Sequence, residues 1–147
     1  MESWRDNLLE DDDRIAALLR SSKRIAVLGI RTEEAADRPA FYVPKYLAEH
    51  GAEVVPVPVH HPEATRILGA KVYRQVADVP GPVDIVDVFR RPRDIPAHVA
   101  DILAKRPRAV WFQLGIRNDA AAEELARAGI LVVQDRCLMV DWRRHVG

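Results

Sequence analysis

Five short apolar runs, at residues 25–28, 54–59, 83–89, 109–112 and 130–133, recur along this chain, most of them separated by stretches of helical periodicity. They are rich in Val and Ile and nearly continuous, the pattern of strands covered on both faces. Two parallel strands can be joined only by a crossover, so strands alternating with helices imply a parallel sheet sandwiched between helical layers. The expectation is a doubly wound α/β fold with a mainly parallel sheet of about five strands.

The helical stretches carry their own stops. Residues 42–50 end at Gly51; residues 95–105 place Val99, Ile102 and Leu103 on one face; residues 119–128 start at Asn118 or Asp119 as cap and end at Gly129. Near the N-terminus, Leu8, Ile15, Leu18 and Leu19 fall at helical spacing, with Asp11, Asp12 and Asp13 at the end that carboxylates favour. Residues 1–22 are therefore expected to add a helix packed on the sheet. The stretch 60–82 breaks the rhythm with Gly69, Pro80, Gly81 and Pro82 around a short strand candidate, "KVYR", and stands where one full β-α unit would be. At 147 residues and 48% hydrophobic content, the chain suits one domain over 1–147.

Basic and acidic residues number 22 each, so no global field gathers nucleic acid or an anionic membrane, and any anion site must be local. Cys137 is the sole cysteine and cannot form an internal disulfide. With no apolar run long enough for a signal or a span, a soluble cytoplasmic protein is expected. His60 and His61 are adjacent, so their side chains diverge on extended backbone, and no metal site is expected.

In open parallel sheets, ligands bind beyond the carboxyl ends of the strands, where the strand order reverses. The residues following each run are Gly29, Ile30, Arg31 and Thr32; Pro58, Val59 and His60; Phe89, Arg90 and Arg91; Gln113, Leu114, Gly115 and Ile116; and Gln134 to Cys137. This is a binding rim with no evident acid-base pair. "KRIAVLGIRTEEAADRP" begins like a dinucleotide-binding turn but lacks the second and third glycines, and "PVPVHHP" stands where NAD would need a ribose-binding carboxylate. Arg90 and Arg91 fit either a solvated loop or a bidentate phosphate contact. Trp111 and Phe112 lie in a strand and should be core, whereas Trp4 and Trp142, near the ends, are expected to be partly exposed.

"IAVLGI", "YVPKYLAEHGAEVVPVPVHHPE", "DIVDVFRR", "VWFQLGI" and "VVQDRC", in that order, resemble the CoA-binding-domain family of small bacterial proteins, similar to the N-terminal domain of the succinyl-CoA synthetase alpha subunit. The resemblance implies a Rossmann-like domain holding coenzyme A across the strand ends. It implies that Gly29, Ile30, Arg31 and Thr32 face the pyrophosphate, with Arg38 in reach and Lys45 adding charge. Pro58 and Val59 would pack near the nucleotide, Phe89 and Arg90 would line the adenine side, Arg91 with Arg90 would contact phosphate or the adenine face, and Gln113, Gly115 and Ile116 would lie along the pantetheine arm. The tail "CLMVDW" departs from the family's pattern, and the phosphorylated histidine of the synthetase belongs to a second domain, so ligase chemistry is not expected. The function expected is that of a CoA or acyl-CoA carrier, sensor or regulatory module without chemistry of its own. Two alternatives stand beside it: an enzyme using Cys137 to exchange with CoA disulfide or accept an acyl group, and a protein binding NAD or another adenine nucleotide.

Overall fold

The structure, a computed structural model, describes residues 3–147. Its elements in chain order are α1 (Asp12–Arg20), β1 (Arg24–Leu28), α2 (Pro39–Glu49), β2 (Glu53–Val57), β3 (Arg66–Ile67), β4 (Ala70–Lys71), β5 (Ile85–Val88), α3 (Pro96–Lys105), β6 (Ala109–Phe112), α4 (Asp119–Arg127), β7 (Leu131–Val133) and α5 (Leu138–His145). Five strands form one parallel sheet in the order β2-β1-β5-β6-β7, as the alternating pattern implied. The winding reverses between β1 and β5, and this is where such a sheet leaves a crevice at its carboxyl edge.

Because side chains alternate across a strand, β1 divides its residues between two cores. Ile25 and Val27 join the layer of α1, α2 and α5, while Ala26 and Leu28 join that of α3 and α4. Helix starts follow local chemistry: Asp11 accepts from the Arg14 N–H at 3.0 Å and Asn118 Oδ1 from the Ala121 N–H at 3.0 Å. Among the described residues no helix is long and apolar enough to cross a membrane.

Three expectations are corrected. Leu8 is not on the N-terminal helix: α1 starts only at Asp12, and Leu8 forms a parallel bridge to Val132 beside β7. Trp142 is not exposed; it is 2% accessible, because residues 138–145 form a helix that sequence periodicity did not reveal. That helix packs on both α1 and α2, and Trp142 donates its indole N–H to the His50 carbonyl at 3.0 Å. In the stretch 60–82, only Lys71 of the strand candidate lies in a strand, β4, which begins one residue earlier and pairs with β3; a 3-10 turn at Val76–Asp78 then seals the core with Val76 and Val79.

Helix α5 is locked by charge. Arg136 donates from Nε and Nη2 to the two oxygens of the buried Asp141, each at 2.9 Å, and also reaches Asp12 on α1 at 3.1 Å. The hydrogen bond from Arg136 holds the Asp12 carboxyl below its ordinary range. Arg136→Met should therefore leave the buried Asp141 with only His145 Nε2, 3.9 Å away, and cost about 3 kcal/mol, the lower end for a broken buried pair because Arg136 is itself partly solvated. Chemical denaturation measures this, and a loss under about 0.5 kcal/mol would reduce the pair to surface decoration.

Candidate functional site

The loop after β1 is built from the backbone outward. Gly29 has φ +89°, and a Cβ there would stand 2.3 Å from the Phe89 carbonyl oxygen. Its N–H bonds the Val57 carbonyl at 2.9 Å, so this one residue sits between the ends of β2 and β5 at the reversal point. Glycine is thus demanded here by the close approach of two strand ends. Ile30 then turns inward and is 1% accessible.

Beyond it the loop is pinned twice. Pro44 lies inside α2 and has no N–H to give the carbonyl four residues earlier, which leaves the Ala40 oxygen free. The Arg31 N–H takes that oxygen at 3.1 Å. Glu33 Oε2 accepts from the Leu68 N–H at 2.9 Å, tying the loop to the β3-β4 hairpin. A segment that reads as an unfinished nucleotide turn is therefore a fixed wall, and it carries Arg31 and Arg38.

This wall closes one side of a cavity of about 750 Å³ over the carboxyl ends of β1, β5 and β6. Gly29, Arg31, Phe89, Arg90, Arg91, Gln113, Gly115 and Ile116 line it, as do Arg38 and His60. The remaining candidates lie elsewhere. Ile30 is buried beneath the loop, and Thr32 precedes a 3-10 turn without lining the cavity. Lys45, exposed on α2, pairs with Glu49 at 3.3 Å. Pro58 and Val59 line a second cavity of about 470 Å³ with His98 and Asp101. Sequence reasoning did not assign Tyr42 and Val43 of α2 to the first cavity, whereas His60, Leu114 and Cys137, placed on the rim by their positions after strands, do line it. The helical spacing of Tyr42 and Val43 carried no sign that the start of α2 borders the strand ends.

The electrostatics are one-sided. Four arginines and no carboxylate line the first cavity. Asp94, outside the lining, pairs with Arg91 at 2.9 Å and with Arg90 at 3.8 Å, while Arg31 and Arg38 form no ion pair among the described residues. Arg90 is not a solvated loop residue: its side chain is 16% accessible, Nε donates to His98 Nε2 at 3.1 Å, and Nη1 lies 3.2 Å from His60 Nε2. Burial, with the Arg90 guanidinium, holds the His98 imidazole below its ordinary pKa, so it stays neutral and accepts that hydrogen bond. Arg90 thus stands between the two cavities. Arg91, at 67%, keeps the solvated character one of its two readings gave it.

Two side chains of β6 and its extension grip the chain before α5. Trp111 Nε1–H donates to the Arg136 carbonyl at 2.8 Å, and the Leu138 N–H donates to Gln113 Oε1 at 2.9 Å. Cys137 is held between those bonds, half-buried and lining the cavity.

Known proteins are similar to this chain in sequence and in fold. The family described as CoA binding domain matches residues 23–143. A Bacillus subtilis protein, the uncharacterized YneT, is 34% identical over 126 residues, covering 86% of this chain and 90% of its own. A solved Thermus thermophilus protein, cell-free ID.343, superposes with a TM-score of 0.86 at 42% identity, covering 92% of this chain and 99% of that one. A dinucleotide-forming acetyl-coenzyme A synthetase from Ca. Korarchaeum cryptofilum, solved with phosphate and ADP, shares the fold at a TM-score of 0.64 and 21% identity; the match covers 84% of this chain and 27% of the synthetase.

Proposed function

The chain belongs to the CoA-binding-domain family, and on that premise we propose that it holds coenzyme A or an acyl-CoA in the arginine-lined cavity, as a carrier, sensor or regulatory module without chemistry of its own. The observation that carries the site assignment is the pair of guanidiniums free of ion pairs among the described residues, Arg31 and Arg38, on a rigid wall of a cavity without a carboxylate. Phosphate oxygens match arginine forks bidentately, and a ligand bearing a pyrophosphate and a further phosphate meets four of them here. The apolar and amide surface from Phe89 to Ile116 suits the uncharged pantetheine arm. NAD is the weaker alternative, since β2 ends in Val57 and is followed by Pro58, and no carboxylate lines this cavity to take ribose hydroxyls.

Replacing both Arg31 and Arg38 by Ala should raise the Kd for CoA more than tenfold, at least about 1.4 kcal/mol, as measured by titration calorimetry. The fold should survive, because neither guanidinium is in an ion pair among the described residues. An unchanged Kd would remove the wall from the site. Thermal scans with equal concentrations of CoA, dephospho-CoA and NAD test the ligand class, since a ligand of the folded state raises the midpoint in proportion to RT ln(1 + [L]/Kd). The expected order is CoA, then dephospho-CoA, then NAD; a larger shift with NAD would overturn the proposal.

A further inference from the structure

We propose that Cys137 captures the sulfur of a CoA-type ligand as a mixed disulfide, making the cavity a thiol-redox site as well as a binding site. The capture rests on the CoA ligand and cavity of the reading above and replaces the part of it that gives the module no chemistry of its own. Cys137 is the chain's one cysteine, so any disulfide it forms must have an external partner. Its backbone is clamped on both sides, by the Trp111 bond to residue 136 and the Gln113 bond to residue 138, which fixes the thiol at the cavity wall.

A second, independent feature at the same end points to a ligand. Gln113 is only 3% accessible, and its Oε1 is occupied by the Leu138 N–H. That assigns the other end of the amide: Nε2 is without a protein partner among the described residues, and Gln113 lines the cavity. Nε2 is not among the fully buried atoms, so this donor of an otherwise buried side chain opens into the cavity, where a ligand's acceptor can take it. The pantetheine arm has carbonyls a short distance from its terminal thiol. An arm whose carbonyl reaches Gln113 therefore brings its sulfur to the part of the wall where Cys137 stands, since Gln113 itself holds the residue after Cys137.

The reaction balances with CoA disulfide as co-reactant. The Cys137 sulfur attacks one sulfur of that disulfide, a new S–S bond forms, and the original S–S bond breaks. The displaced CoA leaves as thiolate and takes up the proton that Cys137 lost, so one disulfide replaces another with no net oxidation. Free CoA attacking the mixed disulfide reverses the step, and another small thiol frees Cys137 by taking the CoA moiety into a new disulfide.

The test uses the reduced full chain and intact-mass spectrometry. Incubation with CoA disulfide should add the mass of one CoA moiety, at least ten times faster than glutathione disulfide at equal concentration adds glutathione. Dithiothreitol should remove the adduct, excess free CoA should slow its formation, and Cys137→Ser and Cys137→Ala should show none. Noncovalent CoA binding to the reduced parent is measured alongside. Binding without mass gain, or equal rates for the two disulfides, would overturn the capture while leaving the CoA reading intact; absence of both binding and mass gain would overturn the two together.

Discussion

Gly29→Ala should unfold this protein or bring it close to unfolding, with a loss above about 3 kcal/mol, a large share of the stability of a domain this size. Two costs combine. A side chain at φ +89° is strained wherever it is placed, at about 1–2 kcal/mol. The added methyl would also stand 2.3 Å from the Phe89 carbonyl oxygen, which cannot yield because Phe89 N–H is bonded to the Leu28 carbonyl at 2.9 Å. Relief would require parting β1 from β5, whose register runs from Ile25 against Ile85 to Leu28 against Val88. Gly115 is the control: it also has positive φ, but a methyl added there would meet nothing within 4 Å, so Gly115→Ala should bear the strain alone. Denaturation midpoints of the two variants separate the two costs. Equal losses would show that the strand-end contact costs nothing.

The second large effect concerns a carboxyl that the fold buries without compensation. Asp87 lies in β5 between Val27 of β1 and Trp111 of β6, is 0% accessible, and neither oxygen has a hydrogen-bond partner. Burial pushes its pKa well above the ordinary 3.8, so the folded protein retains a proton that the unfolded chain has already released. A raised folded pKa gives stability that is complete below about pH 4 and is lost as pH rises, by up to about 1.4 kcal/mol per pH unit until the folded group ionises. Asp87→Asn keeps the shape and removes the titration. Its stability relative to the parent should therefore climb steadily from about pH 4 upward, with no pH-dependent difference below that. Asp87→Val should add a further gain of about 1–3 kcal/mol, since an unpartnered polar group is replaced by an apolar one. A difference between parent and Asp87→Asn that stays flat from about pH 4 to 8 would show that Asp87 has found a partner or water. A residue so costly, on the strand that leads into the cavity-lining Phe89 and Arg90, marks where local sequence rules yield to something other than stability.

How the carboxyl-edge residues meet was legible only in part. Position after a strand was enough to nominate Gly29, Arg31, Phe89, Arg90, Arg91, Gln113, Gly115 and Ile116, because in a parallel sheet all strand ends face the same way. The same rule also nominated Pro58 and Val59, which line a separate cavity, since Arg90 with its two histidines stands between them and the rest. Lys45 was drawn in by charge and family resemblance, yet its turn of α2 leads away from the strand ends, whereas Tyr42, one turn earlier, borders them.

What the sequence determined by itself was the alternation of elements, the parallel sheet and the burial of Trp111 and Phe112. These follow from short-range periodicity and from the steric demands of crossovers, both of which are written locally in the residues. The tertiary structure alone decided the rest. Helix α5 exists because residues 138–145 find a slot between α1 and α2 and because Arg136 reaches Asp141 and Asp12, the latter 124 residues away. Gly29 is indispensable because of Phe89, which lies far along the chain, and Arg31 is placed by a carbonyl that Pro44 left free. Cys137 was on the rim by its position after the last strand, but only the grip of Trp111 and Gln113 on its neighbours holds it at the cavity wall. Most of these are contacts between segments far apart in the chain, whose energy depends on a geometry that no local pattern of residues encodes.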